Sequence, residues 1–106
     1  DNGQDINWYN AKRYCESYRG GSYTDWRMPT QEELAQLYDA GKSQRHDAQQ
    51  NPLHLTELIR LTDCCPWSSK TRGSESAYFD FTDGTHWWFV SPGTNINRAL
   101  PVRSAK

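Results

Sequence analysis

The stretch AYFDFTDGTHWWFV, residues 77–90, decides the fold class of this chain. Residues rich in aromatic and β-branched side chains flank both sides of Asp83-Gly84, a dipeptide typical of a β-hairpin turn. The pattern predicts strands over residues 77–82 and 85–90. A loop rich in Pro, Gly and Asn follows at 91–97, and a third strand is predicted over 98–104.

The turn type determines which aromatic rings face outward. A two-residue type I′ turn pairs Phe81 with His86 and Phe79 with Trp88, on the face that we expect to form core. The opposite face then carries an aromatic surface suited to sugar stacking, although a covering loop is the commoner outcome. A three-residue turn shifts the register by one residue and exposes His86 and Trp88 instead. In the first register the outward residues are Tyr78, Asp80, Trp87 and Phe89.

Two helix signals precede the hairpin. Asn7 can cap a helix whose apolar stripe includes Ala11 and Cys15, with Gly20-Gly21 placed to end it. Thr30 and Glu33 form a T-x-x-E capping box for a second helix, and Gly41 follows as its terminator. Helices first and strands last predict one α+β domain over residues 1–106, with two helices packed on a twisted antiparallel sheet.

The segment between the helices and the hairpin is mixed. Residues 42–51 are polar without periodicity, which predicts an exposed loop. Leu53, Leu55, Leu58, Ile59 and Leu61 form the only dense aliphatic cluster. Their spacing fits a short helix or turn that plugs the core.

Charge is distributed unevenly along the 106 residues. All 13 acidic residues lie at or before Asp83, and the last fifth carries Arg98, Arg103 and Lys106. Three cations are too few for a nucleic-acid footprint, so nucleic acid is excluded as a partner. The simplest interpretation pairs these cations with earlier acids, while an anionic glycan stays open. A mean hydropathy of −1.00 predicts no membrane insertion, and no leader is expected at the start of the chain.

The chain has three cysteines, so one disulfide would leave one thiol unpaired. Adjacent cysteines fit a disulfide poorly, so Cys15 is predicted to pair with Cys64 or Cys65. The three histidines show no metal-ligand spacing, and neither a metal nor a cofactor is predicted.

Asp25, Trp26 and Arg27 allow two interpretations. They could clamp a ligand, because the Arg27 guanidinium offers five donors in one plane. We favour a structural role, in which Trp26 locks its loop onto the core and Arg27 satisfies carbonyls or an acid.

Three strings carry a family resemblance. The first is WYNA at residues 8–11 with Tyr14-Cys15, and the second is GSYTDWRMPTQEEL at residues 21–34. The third is Trp67-Ser68-Ser69 together with the closing Pro101-Val102-Arg103. This pattern resembles a bacterial family named for the C-terminal domain of a collagen-like adhesin. The resemblance implies a C-type-lectin-like fold in a secreted, periplasmic or surface-attached protein. The naming adhesin binds sulfated glycans, but the resemblance does not carry a ligand to this chain.

The expected function is a noncatalytic extracytoplasmic module that recognises a polysaccharide or a protein surface. One alternative is an oxidase, because residues 27–32 are similar to a string of sulfatase-modifying oxidases that hold copper with two cysteines. If Cys64 and Cys65 lie on a strand, their side chains should point to opposite faces, which argues against a copper site held by both. Another alternative is a structural cap or homo-oligomerisation domain. The predicted ligand-binding residues are Tyr78, Asp80, Trp87, Arg98 and Arg103.

Overall fold

Two short helices flank a three-stranded antiparallel sheet in the computed structural model, which describes residues 1–44, 52–56, 58–59, 61–90 and 93–103. The helices are α1 (Trp8–Ser17) and α2 (Gln31–Leu37). The strands are β1 (Trp67–Arg72), β2 (Glu75–Asp80) and β3 (Thr85–Phe89), in the order β1-β2-β3. The α+β class predicted from the order of the elements is confirmed. No helix in the described part of the chain is both long enough and apolar enough to span a bilayer.

Both helix starts lie where the capping residues predict them. The Asn7 side chain accepts a hydrogen bond from the backbone N–H of Asn10 (2.8 Å), and Thr30 and Glu33 form the full capping box. Both helices end earlier than predicted, at Ser17 and Leu37, and neither extends to its glycine. Start signals are local hydrogen bonds, whereas helix ends also depend on what the next segment packs against.

The register of the β2–β3 hairpin differs from both predicted registers. Phe79 pairs with His86 and Ala77 pairs with Trp88, a shift of two residues from the two-residue turn. A shift of two leaves each side chain on its predicted face of the sheet, but the predicted burial was wrong for two residues. His86, expected in the core, is exposed, and Phe89, expected to face outward, packs against Trp67 with ring centroids 6.4 Å apart.

The longer turn follows from its side chains. Asp80 Oδ1 accepts bonds from the Thr82 backbone N–H (2.9 Å) and hydroxyl (2.6 Å), and Asp83 holds Thr85 in the same way. These bonds withdraw Thr82 from the ladder, and Phe81 is buried in the core beyond the strand.

The closing segment forms no strand among residues 98–103, which corrects the third predicted strand, and residue 104 lies outside the described residues. Isolated backbone hydrogen bonds hold it in place instead. Arg27 and Val102 exchange two backbone hydrogen bonds, and the Trp67 backbone N–H donates to the Arg98 carbonyl. Pro101 has no N–H to give to a ladder, which interrupts regular pairing.

Two apolar clusters fill the interior. The aliphatic segment plugs the first cluster as predicted, although residues 52–56, 58–59 and 61 form no helix. Leu58 is the exception, since it is 90% exposed. Part of the predicted loop, residues 45–51, lies outside the described residues. The first cluster contains Leu34, Leu53, Leu55, Leu61, Phe79, Phe81 and Leu100, and the second contains Ala11, Cys15, Met28, Trp67 and Ala99.

The cysteine prediction was wrong, and so was the expectation that the Cys64 and Cys65 side chains diverge on a strand. Cys64 and Cys65 form a disulfide with each other, and Cys15 is a free, buried thiol. Cys15 belongs to the second cluster, whereas Cys64 packs against the first. Because Cys64 and Cys65 are bonded to each other, neither sulfur is left to pair with Cys15.

Candidate functional site

The hairpin brings two of the predicted ligand residues together. Tyr78 and Trp87 are direct cross-strand partners. Trp87 is 51% exposed as a residue, and its indole N–H donates to the Thr85 hydroxyl (2.8 Å). Tyr78 is half-buried against Trp67, and this burial, with the nearby charge of Asp80, raises its pKa. The pair therefore offers one exposed ring and one mostly covered ring.

Asp80 lies at the end of β2, where its carboxylate organises the turn. Both of its hydrogen bonds, to the Thr82 backbone N–H and hydroxyl, fall on Oδ1. One carboxylate oxygen also lies within 4.8 Å of the Cys64 and Cys65 sulfur atoms. Asp80 thus has a structural role, and one of its oxygens remains available.

Arg98 interacts with acidic residues rather than with Tyr78 or Trp87. Its guanidinium lies 2.8 Å from Asp5, 3.7 Å from Asp63 and 3.9 Å from Asp1. Only 14% of its side chain is exposed. The favoured pairing with earlier acids is confirmed for Arg98, and its surroundings leave little of the guanidinium for a ligand.

Arg103 lies at a different surface, among aromatic rings. Its guanidinium donates to both carboxylate oxygens of Asp25 (2.6 and 3.2 Å), which confirms its pairing with an earlier acid. The same group lies 3.5 Å from the centre of the Tyr23 ring and 5.9 Å from that of Trp26. Cation–π contact and the ion pair together hold the guanidinium in one orientation.

An open cleft of about 620 Å³ adjoins Arg103. Its volume falls within the range of small-molecule sites. The Tyr14 and Tyr18 rings stack with centroids 6.1 Å apart, and the edge of Tyr18 meets Trp26 at 4.9 Å. We call this feature the aromatic cleft. Its walls include Tyr14, Tyr18, Trp26, Leu37, Val102 and Arg103.

Three remote segments build the aromatic cleft. The tyrosines come from the end of α1, and Trp26 comes from the loop before α2. The Trp26 indole N–H donates to the Gly20 carbonyl (3.0 Å), which fixes the ring on that loop. The backbone bonds between Arg27 and Val102 then bring the closing segment alongside. This hydrogen bond of the indole N–H supports the structural role predicted for Trp26. The Trp26 ring also lines the cleft.

Sequence reasoning missed the aromatic cleft. In the sequence, Tyr14 belongs to the family string, and Tyr18 falls on the apolar stripe of the first helix together with Ala11 and Cys15. A usable signal was present, because Tyr14 and Tyr18 are four residues apart and so lie on one helix face. Nothing in the sequence indicates that residues 100–103 complete the wall.

The free thiol is buried and is not among the residues that line the cleft. Burial, and to a lesser extent the charge of Glu16, raise the pKa of Cys15 to about 12. Cys15 therefore stays a neutral thiol at physiological pH and does not act as a thiolate nucleophile.

A family comparison identifies the domain. The sequence model of the Lcl C-terminal domain matches residues 1–103. The chain belongs to the Lcl C-terminal domain family. Family membership indicates a surface-associated, extracellular module. No curated protein and no solved structure matches the chain, so the C-type-lectin-like assignment of this Lcl C-terminal domain stays a prediction.

Proposed function

We propose that this Lcl C-terminal domain is a noncatalytic extracellular binding module that takes a glycan into the aromatic cleft. The observation that carries the proposal is the cleft wall, where Tyr14, Tyr18 and Trp26 follow one another beside the Arg103 guanidinium. A sugar ring presents C–H groups on its faces and hydroxyl groups around its edge. An aromatic wall with a planar hydrogen-bond donor at its margin matches both features.

Arg103 gives the cleft its polar specificity. Its bonds to Asp25 use Nε and Nη2, so the N–H groups of Nη1 are left for a ligand. A guanidinium donates well to hydroxyl oxygens and best to carboxylate or sulfate groups, which it can bind with two parallel bonds. Asp25 lowers the net positive charge at the same place. The expected ligand therefore carries few acidic groups, and stacking supplies most of the affinity.

The cysteines support the noncatalytic part of the proposal. The oxidase alternative requires two thiolates on one copper ion. In the oxidised protein Cys64 and Cys65 are joined in a disulfide and Cys15 is a neutral thiol in the second cluster, so this form offers no pair of thiolates to a copper ion.

The proposal is tested by titrating the domain with a sulfated oligosaccharide, an uncharged oligosaccharide of the same length and a range of salt concentrations. Arg103→Lys should weaken binding of both by about tenfold, since a lysine does not reproduce the planar donor set. Asp25→Asn removes the opposing negative charge, so it should tighten binding of the sulfated probe relative to the uncharged probe and make binding of the sulfated probe more sensitive to salt. Glu16→Gln, at an exposed acid on α1, serves as the matched control. Failure of both probes to bind would refute the proposal.

A protein surface is a second candidate ligand for the same cleft. Leu37, Leu58 and Ile59 form an aliphatic end to the cleft, and Leu58 is 90% exposed. An exposed large aliphatic residue beside a cleft is typical of protein contacts. Leu58→Ser distinguishes the two ligands: it should leave glycan affinity unchanged and should disrupt binding of a protein partner.

A further inference from the structure

Cys64, Cys65 and Asp80 form a compact cluster of metal-ligating groups outside the aromatic cleft. Their sulfur atoms and a carboxylate oxygen all lie within 4.8 Å of one another. The Phe79 N–H donates to the Pro66 carbonyl (3.1 Å), and the Phe81 N–H donates to the Cys64 carbonyl (3.0 Å). These two bonds flank Cys65 and Asp80, which therefore face each other across an antiparallel pair. Backbone pairing fixes the cluster.

The Cys64–Cys65 disulfide contributes little to holding the chain together. A bridge stabilises a fold mainly by closing a loop in the unfolded chain, and adjacent residues enclose almost none. Cys64 is partly exposed, so a small reductant can reach its sulfur. The bond is placed where it can be opened without separating two elements of the fold.

We propose that reduction of the Cys64–Cys65 disulfide converts this cluster into a site for a thiophilic divalent metal ion such as Zn²⁺ or Cd²⁺. A dithiol reductant supplies two electrons and two protons and is itself oxidised to a disulfide, while the sulfur–sulfur bond breaks to give two thiols. The metal ion then displaces the two thiol protons, which pass to solvent, and forms two metal–sulfur bonds and one bond to an Asp80 oxygen. Water completes the coordination.

The spacing of the cluster suits such an ion once the sulfur–sulfur bond is open. Zinc–sulfur bonds of about 2.3 Å and zinc–oxygen bonds of about 2.1 Å place the ligand atoms of a tetrahedral site about 3.5–3.8 Å apart. The side chains need only small rotations to reach this arrangement from their positions within 4.8 Å.

Asp80 is already oriented for this role. Thr82 donates two hydrogen bonds to its Oδ1, which fix the plane of the carboxylate and leave Oδ2 for the metal. Hydrogen-bonded carboxylates of this kind are usual among metal ligands. Cys15 takes no part, because it lies in the second cluster.

The test is a Cd²⁺ titration of the full chain, followed by the sulfur-to-cadmium charge-transfer absorption in the ultraviolet. The protein is reduced with dithiothreitol, which is then removed under anaerobic conditions. One Cd²⁺ should bind per chain in the reduced protein, and none at this site in the oxidised protein. Near-ultraviolet circular dichroism checks that the reduced protein remains folded.

Matched variants assign the ligands. Cys64→Ser and Cys65→Ser should each abolish the absorption band. Asp80→Asn should weaken Cd²⁺ binding by at least about tenfold, the loss that even indirect changes around a metal cause. Asp83→Asn, which changes the other aspartate of the same turn, and Cys15→Ala should leave binding unchanged.

Three results would overturn the proposal. These are a folded, reduced protein without the absorption band, an equal loss of affinity in Asp83→Asn and Asp80→Asn, and unfolding of the protein on reduction. None of them bears on glycan binding, because the aromatic cleft shares no residue with this cluster.

Discussion

At the residue scale, Glu33 performs two tasks. Its carboxylate accepts a bond from the Thr30 backbone N–H (2.8 Å), closing the capping box of α2, and two bonds from the Arg27 guanidinium (2.6 Å each). The Arg27 bonds are the main reason that the pKa of Glu33 falls to about 2. Arg27 satisfies an acid as the sequence predicts, and this ion pair anchors the loop that carries Trp26.

Glu33→Gln separates the two tasks, because glutamine also fits a capping box. We expect a loss of about 1–2 kcal/mol in unfolding free energy at pH 7, below the full linkage value because the pair is about one-third exposed. The folded pKa is lowered, so the contribution is present above the unfolded value of 4.5 and is lost as the pH falls toward 2. Urea unfolding from pH 7 to pH 2 should show a shallower acid loss in Glu33→Gln. Glu32→Gln, at an exposed residue of the same turn, should match the wild type.

The cysteines illustrate what residue-level reasoning lacks. Because adjacent cysteines rarely pair, the predicted bridge ran from Cys15 to Cys64 or Cys65. Such a bridge would close a loop of about 50 residues and stabilise the fold by about 4 kcal/mol. The Cys64–Cys65 bridge instead encloses two residues, for which the same model gives about 1 kcal/mol. The sequence contains the cysteines but does not show that Cys15 is buried in the second cluster while Cys64 packs against the first.

Reduction should therefore cost little stability. We expect the unfolding free energy to fall by about 1 kcal/mol when dithiothreitol is present. Denaturant unfolding with and without the reductant measures this difference. A loss near 4 kcal/mol would point to a long-range bridge and contradict the adjacent pairing.

At the element scale, local signals were sufficient for the helix starts and insufficient for the hairpin register. A capping box involves neighbouring residues and can be read directly. The β2–β3 turn also depends on Phe81, which is drawn into the first cluster, and on Tyr38, which packs over Gly84. These tertiary contacts lengthen the turn beyond the Asp83-Gly84 pattern.

Gly84→Ala tests this account of the turn. Gly84 has φ +79°, and a Cβ built there would lie 2.9 Å from the Tyr38 ring. Gly73, in the β1–β2 turn, also has a positive φ (+59°) but open space around it. Thermal unfolding should show a loss of about 1 kcal/mol for Gly73→Ala, from the backbone alone, and about 2–3 kcal/mol for Gly84→Ala. Equal losses would show that Tyr38 does not constrain the turn.

At the scale of the whole molecule, the acidic beginning of the chain holds its basic end. Arg98 pairs with Asp5 and Asp63, and the Asn2 backbone N–H donates to the Ala99 carbonyl (3.0 Å). The uneven charge distribution in the sequence thus closes the fold. The sequence revealed this asymmetry but not that Arg98 would be largely buried, so its assignment to a ligand site has little support in its surroundings.

Removing this cation should be costly. Arg98→Met keeps the length of the side chain but leaves partly buried carboxylates without their partner, which we expect to lower the unfolding free energy by about 3 kcal/mol. Arg72→Met, at an exposed pair with Glu75, should cost less than about 1 kcal/mol. Urea unfolding of both variants provides the comparison. Equal costs would show that the Arg98 cluster does not hold the chain end.

Ligand binding also belongs to the whole molecule, because the aromatic cleft joins α1, the loop before α2 and the closing segment. Tyr18 and Trp87 are both exposed aromatic residues, and only Tyr18 lines the cleft. The most direct test is therefore calorimetric titration of one oligosaccharide against Tyr18→Ala and Trp87→Ala. Our account predicts that Tyr18→Ala weakens binding by about 1–3 kcal/mol, the value of a lost stacking ring, while Trp87→Ala binds like the wild type. Loss of binding in Trp87→Ala with full affinity in Tyr18→Ala would place the site on the hairpin and contradict the account.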